Sequence, residues 1–300
     1  MSMDAFTNGT AAPVNITGSD LTTSMEMTAT LIGPLTRVAL RLGLIRLPEN
    51  LHHILASVLF FSVIHLVVAP VVSMTFFKDV YGKMGSEARN NWCIHVVSQV
   101  NVLILVPLAM WTMVHAPELD QDRIFGWSDN GVGLLLSVAC GYFIWDTADA
   151  IINYTELGFV VHGLVALCIY MGSFGPFGAF FTVRCLLWEV STFFLNIHWF
   201  LDKTGRTGTL FQMVNGGFLL LSFFFFRIVY GWTYITPQFV VSWLPVKQES
   251  PVFLSVVFLG GNVCLQFLNA FWFFKMIQAI RRRFTPKIHL EERRDSAEAV

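Results

Sequence analysis

Between Gly141 and Phe200 an otherwise apolar stretch carries Asp146, Asp149, His162, Arg184, Glu189 and His198. Two kinds of chemistry are open to such a set. An imidazole oriented by a carboxylate can serve as a base or nucleophile, with a guanidinium to stabilise an oxyanion. His162 with Asp146 or Glu189, and Arg184 or Arg227, would supply those parts for acyl transfer to an amine. Alternatively, the same groups hold the polar head of a lipid while Phe-rich walls take its tail. His162 has Gly158 one helical turn before it and Gly163 beside it, which lets another group approach the ring.

The elements that must position these groups are membrane-spanning helices. The chain of 300 residues is 55% hydrophobic but only 13% charged, about half the charge fraction of an ordinary soluble domain. Long runs free of Asp, Glu, Lys and Arg predict an all-α, multi-pass helical bundle. Seven spans are expected, over Ile54–Phe77, Trp92–His115, Gly131–Asn153, Leu157–Met171, Phe177–Leu201, Thr209–Ile235 and Val252–Ile280. The fourth is short for a bilayer core of about 30 Å. The turn Gly172-Ser173-Phe174-Gly175-Pro176 after it is therefore expected below the membrane surface, screened from lipid by protein. Residues 1–24 read as a disordered lumenal tail and 25–50 as an interfacial amphipathic segment, broken at Gly33-Pro34 and ended by Pro48. Residues 51–90 hold the first span and its loop, 91–281 the main domain, and 282–300 a basic cytosolic tail.

An ionisable side chain at mid-bilayer depth costs about 2.5–3.5 kcal/mol on insertion scales, so such groups persist by facing one another or a cavity. At helical spacing the polar residues of each span fall in lines. Tyr142, Asp146, Asp149 and Asn153 share one face of the third span. On the fifth, Glu189, Thr192 and Asn196 form one line, with Arg184, Ser191 and His198 beside it. Ser255, Asn262, Gln266 and Asn269 line the seventh span; the sixth offers Gln212, Asn215 and Arg227, and the second His95 and Gln99. Helices with one polar line each predict a ring around a polar-lined interior. The competing reading is that the acids only pair with Arg184 and Arg227 and lock the helices together. Lys275, close to Arg281-Arg282-Arg283, is expected to snorkel to the membrane surface rather than reach a mid-membrane ligand.

Lys78, Lys83, Arg89, Lys203, Arg206 and the C-terminal basic cluster fall on one side of the seven spans. Arg37, Arg41, Arg46, Arg123 and Lys247 fall on the other, so the C-terminus is expected in the cytosol and the N-terminus in the lumen. Two glycosylation sequons, at Asn8 and Asn15, agree with that orientation. The five cysteines form no CxxC pair, so neither a zinc site nor a disulfide framework is expected. No cofactor and no metal are expected, and a net charge of −1 gives no reason to expect a nucleic-acid partner.

From Asn91 to the end of the seventh span, the chain resembles the TLC-domain family of eukaryotic membrane proteins, which includes ceramide synthases and the translocating-chain-associated membrane protein. The resemblance rests on Trp92…Val96-Val97-Ser98, Gly141-Tyr142-Phe143-Ile144-Trp145-Asp146, and His162 with Tyr170. It continues through Arg184-Cys185-Leu186-Leu187-Trp188-Glu189-Val190-Ser191-Thr192, Asn196, Trp199-Phe200, Asn215-Gly216 and Arg227-Ile228. The chain is most similar to the small TLC-domain-containing proteins that are not established ceramide synthases. The resemblance implies six helices around a lipid-sized cavity, with the first span as an added helix, in the endoplasmic reticulum or another endomembrane. Ceramide synthases carry a His-His pair and a His-Asp…Asp motif, which support transfer of an acyl chain from acyl-CoA to a sphingoid amine. Here Val161 replaces the first His of the pair, and Glu189-Val190-Ser191-Thr192 stands at the second motif.

The leading expectation is a membrane protein that binds, senses or redistributes a lipid. That lipid could be sphingoid, ceramide, fatty acyl or phospholipid, and a homodimer is kept open. Its candidate wall is Tyr142, Asp149, Arg184, Ser191, Thr192, Asn196, Asn215, Arg227, Asn262, Gln266 and Asn269, around His162, Asp146 and Glu189. The alternatives are an acyl-CoA-dependent N-acyltransferase using His162, and a structural partner of other membrane proteins.

Overall fold

A computed structural model describes residues 33–284. The sequons at Asn8 and Asn15, and the basic tail from Lys287 onward, lie outside the described residues. The chain divides into two compact units, Met1–Gly43 and Leu44–Val300. Of the first, the described part is a helix over 33–41 (α1), followed by Gly43 at a φ of 77°.

In the second unit, six helices are long and apolar enough to cross a membrane. These are Leu47–Phe76 (α2), Ser86–His115 (α4), Val132–Ile152 (α6), Ala179–Lys203 (α8), Leu210–Val246 (α9) and Val252–Phe284 (α10). Two short helices, Lys78–Tyr81 (α3) and Glu118–Gln121 (α5), lie in connections. The fourth expected span is Leu157–Gly172 (α7), an apolar helix of 16 residues, about 24 Å long. No strand occurs among the described residues.

Several helix ends fall a few residues from the sequence reading, and at two of them proline is the reason. Pro48 stands at the start of α2, where its missing N–H costs nothing, rather than ending a preceding segment. The sixth span continues past Ile235 to Val246, because Pro237 and Pro245 each sit at the start of a fresh helical segment within α9.

The turn after α7 is buried in protein, as its position required. Ser173, Phe174 and Phe177 are each 0% exposed. Ser173 Oγ donates to Thr182 Oγ1 at 3.0 Å, and the Gly178 amide donates to the Ile124 carbonyl at 2.7 Å. Gly178 opens α8 at a φ of 68°, and a side chain there would run into the Phe258 ring.

α2 packs along α6 outside the ring, joined by Ser57 Oγ donating to the Val138 carbonyl at 3.1 Å. Three helices depart from α geometry. α2 widens to a π turn over Ile64–Val68, α8 tightens to a 3₁₀ turn over Leu186–Glu189, and α9 is π-helical over Phe223–Ile235. Such interruptions concentrate at functional sites, and the last two lie against each other in the middle of the bundle.

Candidate functional site: an intramembrane cavity

A cavity of about 360 Å³ lies inside the bundle, and all six helices of the ring contribute to its wall. α4 brings Ile94, His95 and Ser98; α6 brings Tyr142, Phe143 and Asp146. α7 contributes Phe159 and His162, and α8 contributes Glu189, Ser191, Thr192, Leu195 and Asn196. Leu219, Phe223 and Arg227 of α9 and Trp272, Lys275 and Met276 of α10 close it. A smaller space of about 40 Å³ shares Phe143, His162, Glu189 and Arg227 with the first, and adds Tyr170, Phe181 and Asn262 to its lining. Most of the combined wall is hydrocarbon, with polar groups contributed by each of the six helices.

Arg227 organises one cluster of these polar groups beside the 3₁₀ turn of α8. The Trp188 carbonyl accepts from Arg227 Nε at 3.0 Å and from Ser191 Oγ at 3.0 Å. Arg227 Nε also donates to Ser191 Oγ at 3.0 Å. Its Nη2 donates to Glu189 Oε1 and to Thr192 Oγ1, each at 3.1 Å, and its Nη1 donates to Asn269 Oδ1 at 3.2 Å. Arg227 is 5% exposed and Glu189 8%. All three guanidinium nitrogens are therefore committed to protein, and α8, α9 and α10 are tied together through one side chain. A guanidinium so placed suits locking helices better than holding an anionic headgroup.

Asp146 differs from Glu189. It faces the same cavity, yet no cation or hydrogen-bond donor among the described residues partners it. Beyond it, the imidazole of His162 meets the edge of Trp272 at 5.4 Å, and its buried Nδ1 has no partner. The neighbouring Gly163 admits Thr147 of α6, so the close approach it permits brings a helix and not a ligand; a β-carbon there would collide with the threonine.

On the far wall, His95 Nδ1 lies 2.9 Å from Asn196 Oδ1, while Asn196 Nδ2 donates to Ser98 Oγ at 3.1 Å. The His95 ring stacks on Trp199 at 4.1 Å. At the cavity's rim Lys275 Nζ reaches Glu156 Oε1 at 2.6 Å, and both side chains are nearly half exposed.

Several expected wall residues are placed elsewhere. Arg184 sits toward the opposite end of the bundle, its Nη2 donating to both Asp120 carboxylate oxygens at 3.1 and 3.3 Å, with the guanidinium 3.4 Å from the centre of the Phe180 ring. Asp149 accepts from Asn153 at 2.9 Å and from Asn90 at 3.4 Å, and Asn90 in turn meets His65 Nε2 at 2.9 Å. Asn215 donates to the Phe194 carbonyl at 2.9 Å, joining α9 to α8. Gln266 is buried against Gly231 and donates to Thr236 Oγ1 at 3.3 Å. Asn262, which meets Thr236 Oγ1 at 2.7 Å, lines the smaller space only. Asn269 stands behind Arg227. Tyr142, Asp146, His162, Glu189, Ser191, Thr192, Asn196 and Arg227 are brought together.

Sequence reasoning did not single out His95, Ser98, Trp272 or Lys275 as wall residues. His95 carried a visible signal, the polar residue Gln99 four positions on, but the pair alone does not say what it faces. Lys275 reaches the rim because Glu156, just before the short α7, lies within its span.

Helices of membrane-crossing length closed around a partly polar interior define a multi-pass membrane protein with an intramembrane cavity. The TLC domain model matches residues 91–278, so the chain belongs to the TLC-domain family. It is similar to an uncharacterized TLC domain-containing protein of Schizosaccharomyces pombe, 39% identical over 81% of this chain and 83% of the relative. It is also similar to TLC domain-containing protein 4-B of Danio rerio, 30% identical over 77% and 87% of the two chains. A third relative is topoisomerase I damage affected protein 4 of Saccharomyces cerevisiae, 26% identical over 79% and 86%.

Proposed function

We propose that this protein takes a single membrane lipid into the cavity, and acts by binding, sensing or redistributing it. The observation that carries this reading is the cavity of about 360 Å³ with mostly hydrocarbon walls and polar groups set among them. Its size and mixed lining fall within the ordinary range for small-ligand pockets. The polar side chains take the headgroup, and Phe143, Phe159, Leu195, Leu219 and Phe223 enclose the chain. Mass spectrometry of lipids that co-purify with the protein tests it. The native chain should carry a stoichiometric lipid, and Leu219→Trp, which fills the space, should lose it while remaining folded. A native protein that purifies free of lipid from every detergent tried sinks the reading.

One observation favours a second reading. His162 stands in the cavity wall, as does the unpartnered carboxylate of Asp146. That pair suits attack of a lipid amine on an acyl-CoA thioester: the amine forms the amide, the CoA thiolate leaves, and an imidazole takes the amine proton. Labelled acyl-CoA with sphinganine decides it, since turnover abolished by His162→Ala in a folded protein would establish the enzyme.

Residence in the endoplasmic reticulum or a related endomembrane, with the N-terminus lumenal, completes the proposal. The distribution of basic residues supports the orientation. An endoglycosidase-sensitive mass shift lost on Asn8→Gln and Asn15→Gln tests it.

A further inference from the structure

We propose that His95 is the cavity's fixed hydrogen-bond acceptor, selecting a lipid whose head bears a hydroxyl or amine over one that ends in a carboxylate or phosphate. This inference rests on the lipid-binding reading above. Asn196 Nδ2 donates to Ser98 Oγ at 3.1 Å, and Asn196 Oδ1 lies 2.9 Å from His95 Nδ1. An amide oxygen only accepts, which places the imidazole proton on Nδ1 and the lone pair on Nε2. Stacking on Trp199, with the ring planes 25° apart, holds the imidazole against rotation. Trp199 in turn packs on Trp92, which is 1% exposed. His95 lines the cavity, and no described residue donates to its Nε2.

The other polar wall residues point the same way. Asp146 adds a carboxyl group with no cation of its own, and four of the five Arg227 N–H groups donate within the protein. A carboxylate or phosphate head would bring a second acidic group beside Asp146 and face a lone pair at His95. A hydroxyl or amine would donate to both.

The test uses the full-length purified chain in detergent and three tritiated C18 probes: octadecanol, octadecylamine and octadecanoate. The native protein should bind the alcohol and the amine about tenfold or more tightly than the acid. His95→Phe should cut the preference by about fivefold without weakening the acid, leaving the part owed to Asp146. Asn196→Asp, which can only accept from Nδ1, should keep the full preference, and Asn196→Leu should cut it as His95→Phe does. If no probe binds the native chain, the lipid-binding reading itself falls. A native chain that prefers the alcohol and amine, with a folded His95→Phe that keeps the full preference, overturns the His95 assignment alone. So does equal binding of octadecanoate by the native chain. Should His95→Phe fail to fold, the two Asn196 variants decide, and loss of the preference in Asn196→Asp overturns the proposal.

Discussion

Arg227 and Glu189 meet at 3.1 Å where their two helices both leave α geometry, one wound into a π-helix and the other tightened into a 3₁₀ turn. The Trp188 carbonyl, in that same 3₁₀ turn, accepts from Arg227 Nε at 3.0 Å. The buried charge of Arg227 is thus paired and hydrogen-bonded at the point where both helices depart from α geometry.

Breaking this pair from one side should be costly. Arg227→Met leaves Glu189 buried without a cation, and a loss of about 3–5 kcal/mol is expected, seen as a large fall in the thermal transition in detergent. The double variant Arg227→Met/Glu189→Leu should recover part of that loss, which a double-mutant cycle would register. An Arg227→Met protein as stable as the native chain would exclude this role.

Asp146 should behave in the opposite sense. It has no cation to leave stranded, so Asp146→Asn removes an unpaired acid from a low-dielectric site and should leave stability unchanged or raise it. The same substitution should weaken retention of an amine-headed lipid. Matched melting curves and lipid analysis of Asp146→Asn and Glu189→Gln give the comparison, with Glu189→Gln the less stable of the two.

Gly163→Leu should push α6 and α7 apart, because the glycine faces Thr147 with no room for a β-carbon. Overpacking of this kind typically costs about 1–3 kcal/mol. Since His162 is the adjacent residue, lipid retention should fall with stability. Gly163→Ala should be milder, and more so when combined with Thr147→Ala; thermal stability and co-purified lipid measured together test both points.

The rim pair should matter for traffic and hardly for stability. Lys275 and Glu156 are 46% and 40% exposed, and exposed pairs contribute about 0–1 kcal/mol. Lys275→Ala should leave the melting transition nearly unchanged but alter the rate at which a fluorescent lipid exchanges between protein and vesicles. High salt should reproduce much of that rate change in the native chain.

The regular part of the architecture was legible without coordinates. Runs of apolar residues long enough for a bilayer announce helices by hydropathy alone, and polar lines at helical spacing announce that those helices face inward. That reasoning put Tyr142, Asp146, His162, Thr192 and Asn196 on polar lines, and the structure sets all five in the wall of one cavity. It failed where the helical phase changes. Uniform α spacing set Arg184 and Ser191 on one line of the fifth span, yet the 3₁₀ turn between them sends Ser191 to the cavity. Arg184 goes instead to Asp120 of the short helix α5.

By itself, then, the sequence determined a helical membrane bundle of the TLC family with a polar interior, because transfer of side chains and backbone from water to hydrocarbon depends on composition and period. Only the tertiary structure decided which charges are consumed and which remain. Arg227 is absorbed by five acceptors on neighbouring elements, Asp146 is left unpaired, and His95 is oriented by an asparagine a hundred and one residues away. Pairing depends on distances across the bundle, and no local pattern along the chain encodes those.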